Sequence, residues 1–216
     1  MISILLATYN GEKYLSTSIE SILNQTFKDF ELLIGFNGTT DSSKEIPSKY
    51  DDPRIRVFDY ADEKGKSNTL NKLIKEAKYD WVAIQDDDDI WVNDKLEKQV
   101  PFMGRFDVIG SLICYVDENN NITGQPQLST IPSEIKRISM TGLNQVANTS
   151  AILRKKDILD IGGWRNEFDG IEDYDLWLRL MRIGKNFINV PEQLVRHRLH
   201  SNSNFNTKQH NLSKLF

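Results

Sequence analysis

Along the first part of the chain, hydrophobic positions follow two alternating rhythms. Residues 2–7 (ISILLA), 30–36 (FELLIGF), 55–58 (IRVF) and 81–84 (WVAI) are short, nearly continuous apolar runs. The first suits a strand buried on both faces, and the others read as further strands. Between them the spacing changes. Tyr14, Leu15, Ile19, Ile22 and Leu23 form one helical stripe, and Leu70, Leu73, Ile74 and Ala77 form another. These stripes predict helices over residues 13–25 and around residues 70–77. Thr8-Tyr9-Asn10-Gly11 and Asn37-Gly38 break the runs. The order β-α-β-(α)-β-α-β predicts an α/β fold: a mainly parallel, doubly wound sheet with helices on both faces.

The second half reads differently. Residues 93–103 predict a helix capped by Asn93. Residues 108–116 and the stretch after Ile122 flank Asp117-Glu118-Asn119-Asn120-Asn121, a turn that predicts two antiparallel strands. Residues 124–142 predict a loop with a short helix, and residues 146–153 a strand. A short helix over residues 156–161 stops at Gly162-Gly163. Leu176, Trp177, Leu180 and Met181 share one stripe of a helix over residues 174–183. Residues 187–190 and 194–199 are strand-like, and the tail from Ser201 is polar. The sheet is therefore expected to carry a small antiparallel portion.

Composition narrows the class. A chain of 216 residues suits one domain, read as residues 1–203 with a polar tail over 204–216. A net charge of −4 gives no field that would favour nucleic acid. The one cysteine, Cys114, lies in an apolar run and reads as a buried structural thiol in a reducing compartment. No stretch approaches the ~20 apolar residues that span a bilayer. The N-terminus lacks the basic region and cleavage site of a secretory leader. A cytoplasmic protein is expected, with peripheral membrane contact left open.

In an open α/β sheet, ligands bind beyond the carboxyl ends of the strands. Thr8-Tyr9-Asn10, Asn37 to Asp41 and Asp86 to Asp89 all fall there, so they should meet at one crevice. The stretch IQDDDDIW puts four like charges together. Mg²⁺ or Mn²⁺, completed by a diphosphate, would relieve their repulsion; a solvated acidic loop is the plainer reading. In GIEDYDLWLRL, Glu172, Asp173 and Asp175 open a helix as dipole partners, or Asp173 serves as a general base. In RHRLH, a strand would put Arg196, Arg198 and His200 on one face. There Arg suits phosphate and neutral His suits a metal; a structural or surface histidine is the ordinary alternative.

Taken together, the motifs resemble glycosyltransferase family 2, with its GT-A fold. The stretches that carry the likeness are ISILLATYNGEKYLSTSIESILNQTFKDFELLIGFNGTTDSS, KGKSNTLNKLIKEAKYDWVAIQDDDDIWVNDKLEKQV, GGWRNEFDGIEDYDLWLRL and PEQLVRHRLHSNS. The resemblance implies a nucleotide-sugar half over residues 1–92 and an acceptor half over residues 93–203. It implies that Ala7, Thr8, Tyr9, Asn37, Asp86, Asp87 and Arg198 bind the nucleotide diphosphate. Asp88 and His200 would hold the metal, Mn²⁺ or Mg²⁺. Asp173 would be the catalytic base. Asn148, Thr149 and Glu172 would lie on the acceptor side.

Two departures qualify the likeness. The family usually has Asp where this chain has Asn37, which weakens the preference for uridine because an amide accepts the imide N–H less strongly than a carboxylate. The Gln-x-x-Arg-Trp motif of processive synthases is missing. What the resemblance implies is metal-dependent, inverting transfer of one sugar, with a UDP-sugar favoured. The acceptor would be a saccharide, a lipid-linked oligosaccharide or a protein glycan, in surface polysaccharide or glycan synthesis. An inactive nucleotide- or sugar-binding module of the same fold and a nucleotidyltransferase are the alternatives.

Overall fold

In a computed structural model that describes residues 1–61, 64–200 and Leu215, the continuous apolar runs become strands. They are β1 (Ile2–Thr8), β2 (Phe30–Phe36), β3 (Ile55–Asp59) and β4 (Trp81–Asp86). The stripes between them become α1 (Leu15–Leu23) and α2 (Lys66–Glu76). The remainder supplies β5 (Ile90–Trp91), α3 (Lys95–Gln99), β6 (Val108–Val116), β7 (Ile122–Gly124) and α4 (Pro132–Ser139). It ends with β8 (Ile152–Arg154), α5 (Lys155–Asp160), α6 (Glu172–Arg182) and β9 (Phe187–Arg198).

The sheet runs β3-β2-β1-β4-β8-β6-β9-β5, with β7 beside β6. β1 pairs in parallel with β2 and β4, and β2 with β3. Register places Thr8 opposite Phe36 and Ala7 opposite Asp86, so these strands end at one level. Beyond β4 the sheet turns antiparallel through β8, while β6 and β9 pair in parallel. Alternating residues of β1 feed two cores. Ile2, Ile4 and Leu6 pack with Leu15, Ile19 and Ile22 of α1. Leu5 and Ala7 pack with Leu70, Leu73 and Ile74 of α2, and with Leu176, Trp177 and Leu180 of α6. Period-two alternation thus places helices on both faces, and each buried Leu or Ile contributes about 1.5–3 kcal/mol.

Several expectations are corrected. The bracketed helix between β2 and β3 is two 3₁₀ turns, Ser42–Glu45 and Pro47–Lys49. The helix expected over residues 93–103 is α3 followed by the 3₁₀ turn Val100–Phe102, where Pro101 interrupts it. Asn93 does not cap it, since Asp94 occupies that position and the Asn93 carbonyl accepts from Thr26 N–H at 2.8 Å. The strand expected over residues 146–153 starts only at Ile152. Before it, Asn148–Ser150 forms a 3₁₀ turn whose side chains bond inward. The two late strand-like runs are one strand, β9, carried past Pro191 by a register shift against β6 that leaves the imide without a ladder bond to make.

Cys114 is buried, and burial pushes its thiol up. The tail lies outside the described residues except for Leu215, which packs on Phe168, Tyr174 and Leu178. No helix among the described residues is long and apolar enough to cross a membrane.

Candidate active site

The shared strand level opens into a cleft of about 1240 Å³. Ala7, Tyr9, Asn37, Lys66, Asp86, Asp87, Asp88, Asn144, Asn148, Thr149, Glu172, Asp173, His197 and His200 line it. A cleft of this size accommodates an extended small-molecule ligand.

The four aspartates are separated by their partners. Asp86 Oδ1 accepts from Lys66 Nζ at 2.6 Å and from Asn148 Nδ2 at 2.9 Å. Asp87 accepts from the Thr8 hydroxyl. Burial and the neighbouring charge of Asp88 push Asp87 up to about 7. Asp88 Oδ2 lies 2.9 Å from His200 Nε2. Burial would raise Asp88, but that bond and the field of His197 hold it below its ordinary value. Asp89 is fully buried and faces away from the cleft, accepting from His197 Nδ1 at 3.0 Å and from Arg198 N–H at 2.9 Å. The like charges of the run are therefore separated by protein partners. Each carboxylate has its own protein partner.

Two further placements differ from the sequence reading. Thr8 does not line the cleft; it is buried behind Asp87 and bonds to it. Arg198 does not reach into the cleft as a diphosphate ligand. Its guanidinium is buried, with Nε on the Asp88 carbonyl (2.9 Å), Nη1 on the Asp117 carbonyl (2.9 Å) and Nη2 on Asn120 Oδ1 (2.7 Å). Two register shifts along β9 decide which of its side chains turn inward. His197, absent from the sequence reading, lines the cleft instead. Burial would lower His197, but Asp89 outweighs it and raises the imidazole to about 9.

Across the cleft, α6 begins with Glu172 and Asp173. Glu172 is buried, accepts from Gly170 N–H at 2.6 Å, and lies 3.3 Å from Lys66 Nζ. Asp173 Oδ2 accepts from Asn144 Nδ2 at 3.0 Å. Burial, then the charge of Glu172, pushes Asp173 up to about 7. Asp175 turns inward to an ion pair with Arg165 and Arg179. Thr149 donates to Gln85 Oε1 at 2.8 Å, and its carbonyl accepts from Trp91 Nε1 at 2.8 Å. Lys66, Asn144 and His197 escaped the sequence reading because each gains meaning only from residues distant along the chain.

Among the described residues, no three His, Cys, Asp or Glu side chains form a metal-holding group. Asp88 and His200 supply one carboxylate oxygen and one imidazole nitrogen at the cleft. That set fits a hard divalent cation that keeps positions for water and phosphate oxygens.

Over residues 3–162 the sequence matches the model of Glycosyl transferase family 2. The chain belongs to that family. This family 2 glycosyltransferase is 34% identical over 210 residues to the O-antigen biosynthesis glycosyltransferase WbnJ of Escherichia coli, covering 94% of this chain and 81% of the relative. It is 30% identical over 204 residues to UDP-Glc:alpha-D-GlcNAc-diphosphoundecaprenol beta-1,3-glucosyltransferase WfaP of E. coli, covering 94% and 79%. In fold it is similar to S. aureus TarS 1-349 solved in complex with UDP-GlcNAc, with a TM-score of 0.82 at 19% identity over 99% of this chain. The family 2 chain spans 63% of that solved chain. The likeness establishes the GT-A fold.

Proposed function

We propose that this glycosyltransferase moves one sugar from a nucleotide-diphosphate sugar, with UDP favoured, to an acceptor hydroxyl with inversion. The observation that carries this reading is that Asp88, Asp173 and His200, from separate stretches of the chain, line one cleft. Residues 1–92 serve the donor and residues 93–203 the acceptor. Ala7, Tyr9 and Asn37 receive the nucleoside. The buried Asn37 Oδ1 has no hydrogen-bond partner among the described residues, which suits it to accept a base N–H. Asp88 and His200 hold Mn²⁺ or Mg²⁺. When bound, the cation neutralises charge on the departing diphosphate.

Asp173 takes the proton of the attacking hydroxyl. Asn144 holds its Oδ2. A carboxylate titrating near 7 is poised for this work at neutral pH. The named relatives act in O-antigen biosynthesis and on a diphosphoundecaprenol-linked sugar, which supports a lipid-linked saccharide acceptor in surface polysaccharide synthesis, at the cytoplasmic side of a membrane.

A thermal-shift panel tests the donor half: UDP, GDP, dTDP, CDP and ADP, each with Mn²⁺, Mg²⁺ or EDTA. A ligand bound only by the folded state adds about 2.7 kcal/mol of stability at a hundredfold excess over Kd and so raises the midpoint. UDP is expected to stabilise the protein only with metal. Silence with every diphosphate would defeat the reading and favour an inactive binding module.

A further inference from the structure

Carboxylates from distant stretches line the cleft, among them Asp86, Asp87, Asp88, Asp169, Glu172 and Asp173. Lys66 stands among them. Gly65, at φ +92°, turns the chain into α2, and the Lys66 N–H donates to Asp169 Oδ1 at 3.2 Å. The side chain is thereby directed into the cleft from a helix N-terminus, where the helix dipole disfavours a cation. Its partners overcome that disadvantage. Nζ lies 2.6 Å from Asp86 Oδ1 and 3.3 Å from Glu172 Oε1. Asn148 Nδ2 occupies the same Asp86 oxygen at 2.9 Å, and Gly170 N–H occupies Glu172 Oε2 at 2.6 Å. One ammonium thus spans the end of β4 and the start of α6.

Resting on the transferase reading above, we propose that Lys66 is a positioning residue: its ammonium ties the donor-side Asp86 to the acceptor-side Glu172, holds the two half-sites in register, and leaves Asp173 as the carboxylate that takes the proton. The charges facing Asp173 agree with this sorting. Glu172 on its own helix and Asp86 at the end of β4 raise it, whereas Lys66 lowers it. Without Lys66, two uncompensated carboxylates would face the base, and it would hold its proton at neutral pH.

The test compares wild type, Lys66→Met and Lys66→Arg. The carboxyl carbon of Asp173 is titrated by ¹³C NMR, its signal assigned by loss in Asp173→Asn. UDP–Mn²⁺ affinity is measured by calorimetry, and transfer is followed against pH. Lys66→Met is expected to move the Asp173 midpoint up by about one unit or more and to lower transfer at pH ~7 by about fivefold or more, recovering towards alkaline pH. Its UDP–Mn²⁺ affinity should stay within about threefold of wild type. Lys66→Arg, which keeps the charge, should restore most of the midpoint. An unmoved Asp173 midpoint overturns the proposal. So does a parallel loss of UDP–Mn²⁺ affinity, which would make Lys66 a donor contact. Should Lys66→Met fail to fold, Lys66→Gln takes its place with the same expected midpoint. If wild type neither binds a diphosphate nor transfers a sugar, the transferase reading falls, while the Asp173 titration still decides whether Lys66 sets that group.

Discussion

Asp86 to Asp89 can sit side by side because each faces a different partner: Lys66 with Asn148, Thr8, His200, and His197 with the Arg198 N–H. Of the four, Asp88 is held below its ordinary value, so it remains charged at the cleft. Replacing it should remove metal-dependent binding and little else. Asp88→Ala is expected to show no midpoint rise with UDP and Mn²⁺ in a thermal shift, at a metal-free midpoint close to wild type.

Asp173 makes the opposite prediction. Asp173→Asn should keep UDP–Mn²⁺ affinity and lose transfer by roughly 10²–10⁴-fold, the usual worth of a general base. Since the base works deprotonated, transfer by wild type should rise as pH climbs through about 7. Stability runs the other way. A carboxyl raised in the folded state contributes stability that is fully present below its unfolded value and is lost as pH rises through about 7. The permanently neutral Asp173→Asn should therefore lose less thermal stability than wild type between pH ~4 and ~8, as unfolding scans at each pH would show.

At the scale of elements, the site depends on how β2, α2 and β9 are seated. Gly35 in β2 lies under α2. A Cβ there would meet Thr69 Cγ2 at 2.7 Å and both Leu73 methyls at 3.1 Å. Gly35→Ala should push α2 off the sheet and destabilise by about 1–3 kcal/mol in urea unfolding, the usual cost of overpacking. Because Lys66 opens the same helix, transfer should fall with it. β9 is tied down by Arg198, whose guanidinium joins the Asp88 carbonyl to the Asp117–Asn121 turn. Arg198→Ala removes those bonds and the buried guanidinium's packing and should cost roughly 2–4 kcal/mol. In contrast, Arg196→Ala, at an exposed position, should stay within about 0.5 kcal/mol. Chemical denaturation of the two variants side by side checks the difference.

For the whole molecule, the apolar rhythms of residues 1–90 determined the parallel half of the sheet and its two covering helices, since a strand buried on both faces must be continuously apolar and a helix on one face must be striped. Local chemistry also announced Asp86 to Asp89, Glu172, Asp173 and His200 as polar groups at element ends. Alternation and turn signals could not fix the second half as well. Asn148–Ser150 reads as strand until Asp86 and Gln85 draw its side chains inward. The face of β9 is set by bulges that depend on its partner β6. Likewise, only the folded cleft shows that Lys66 sits between Asp86 and Glu172, that Asn144 holds Asp173, and that His197 rather than Arg198 faces inward. The sequence by itself determined which groups are chemically able, because that follows from residue type and local period. The tertiary structure decided which of them meet, because hydrogen bonds and ion pairs act over a few ångströms and their partners here lie up to 112 residues apart along the chain.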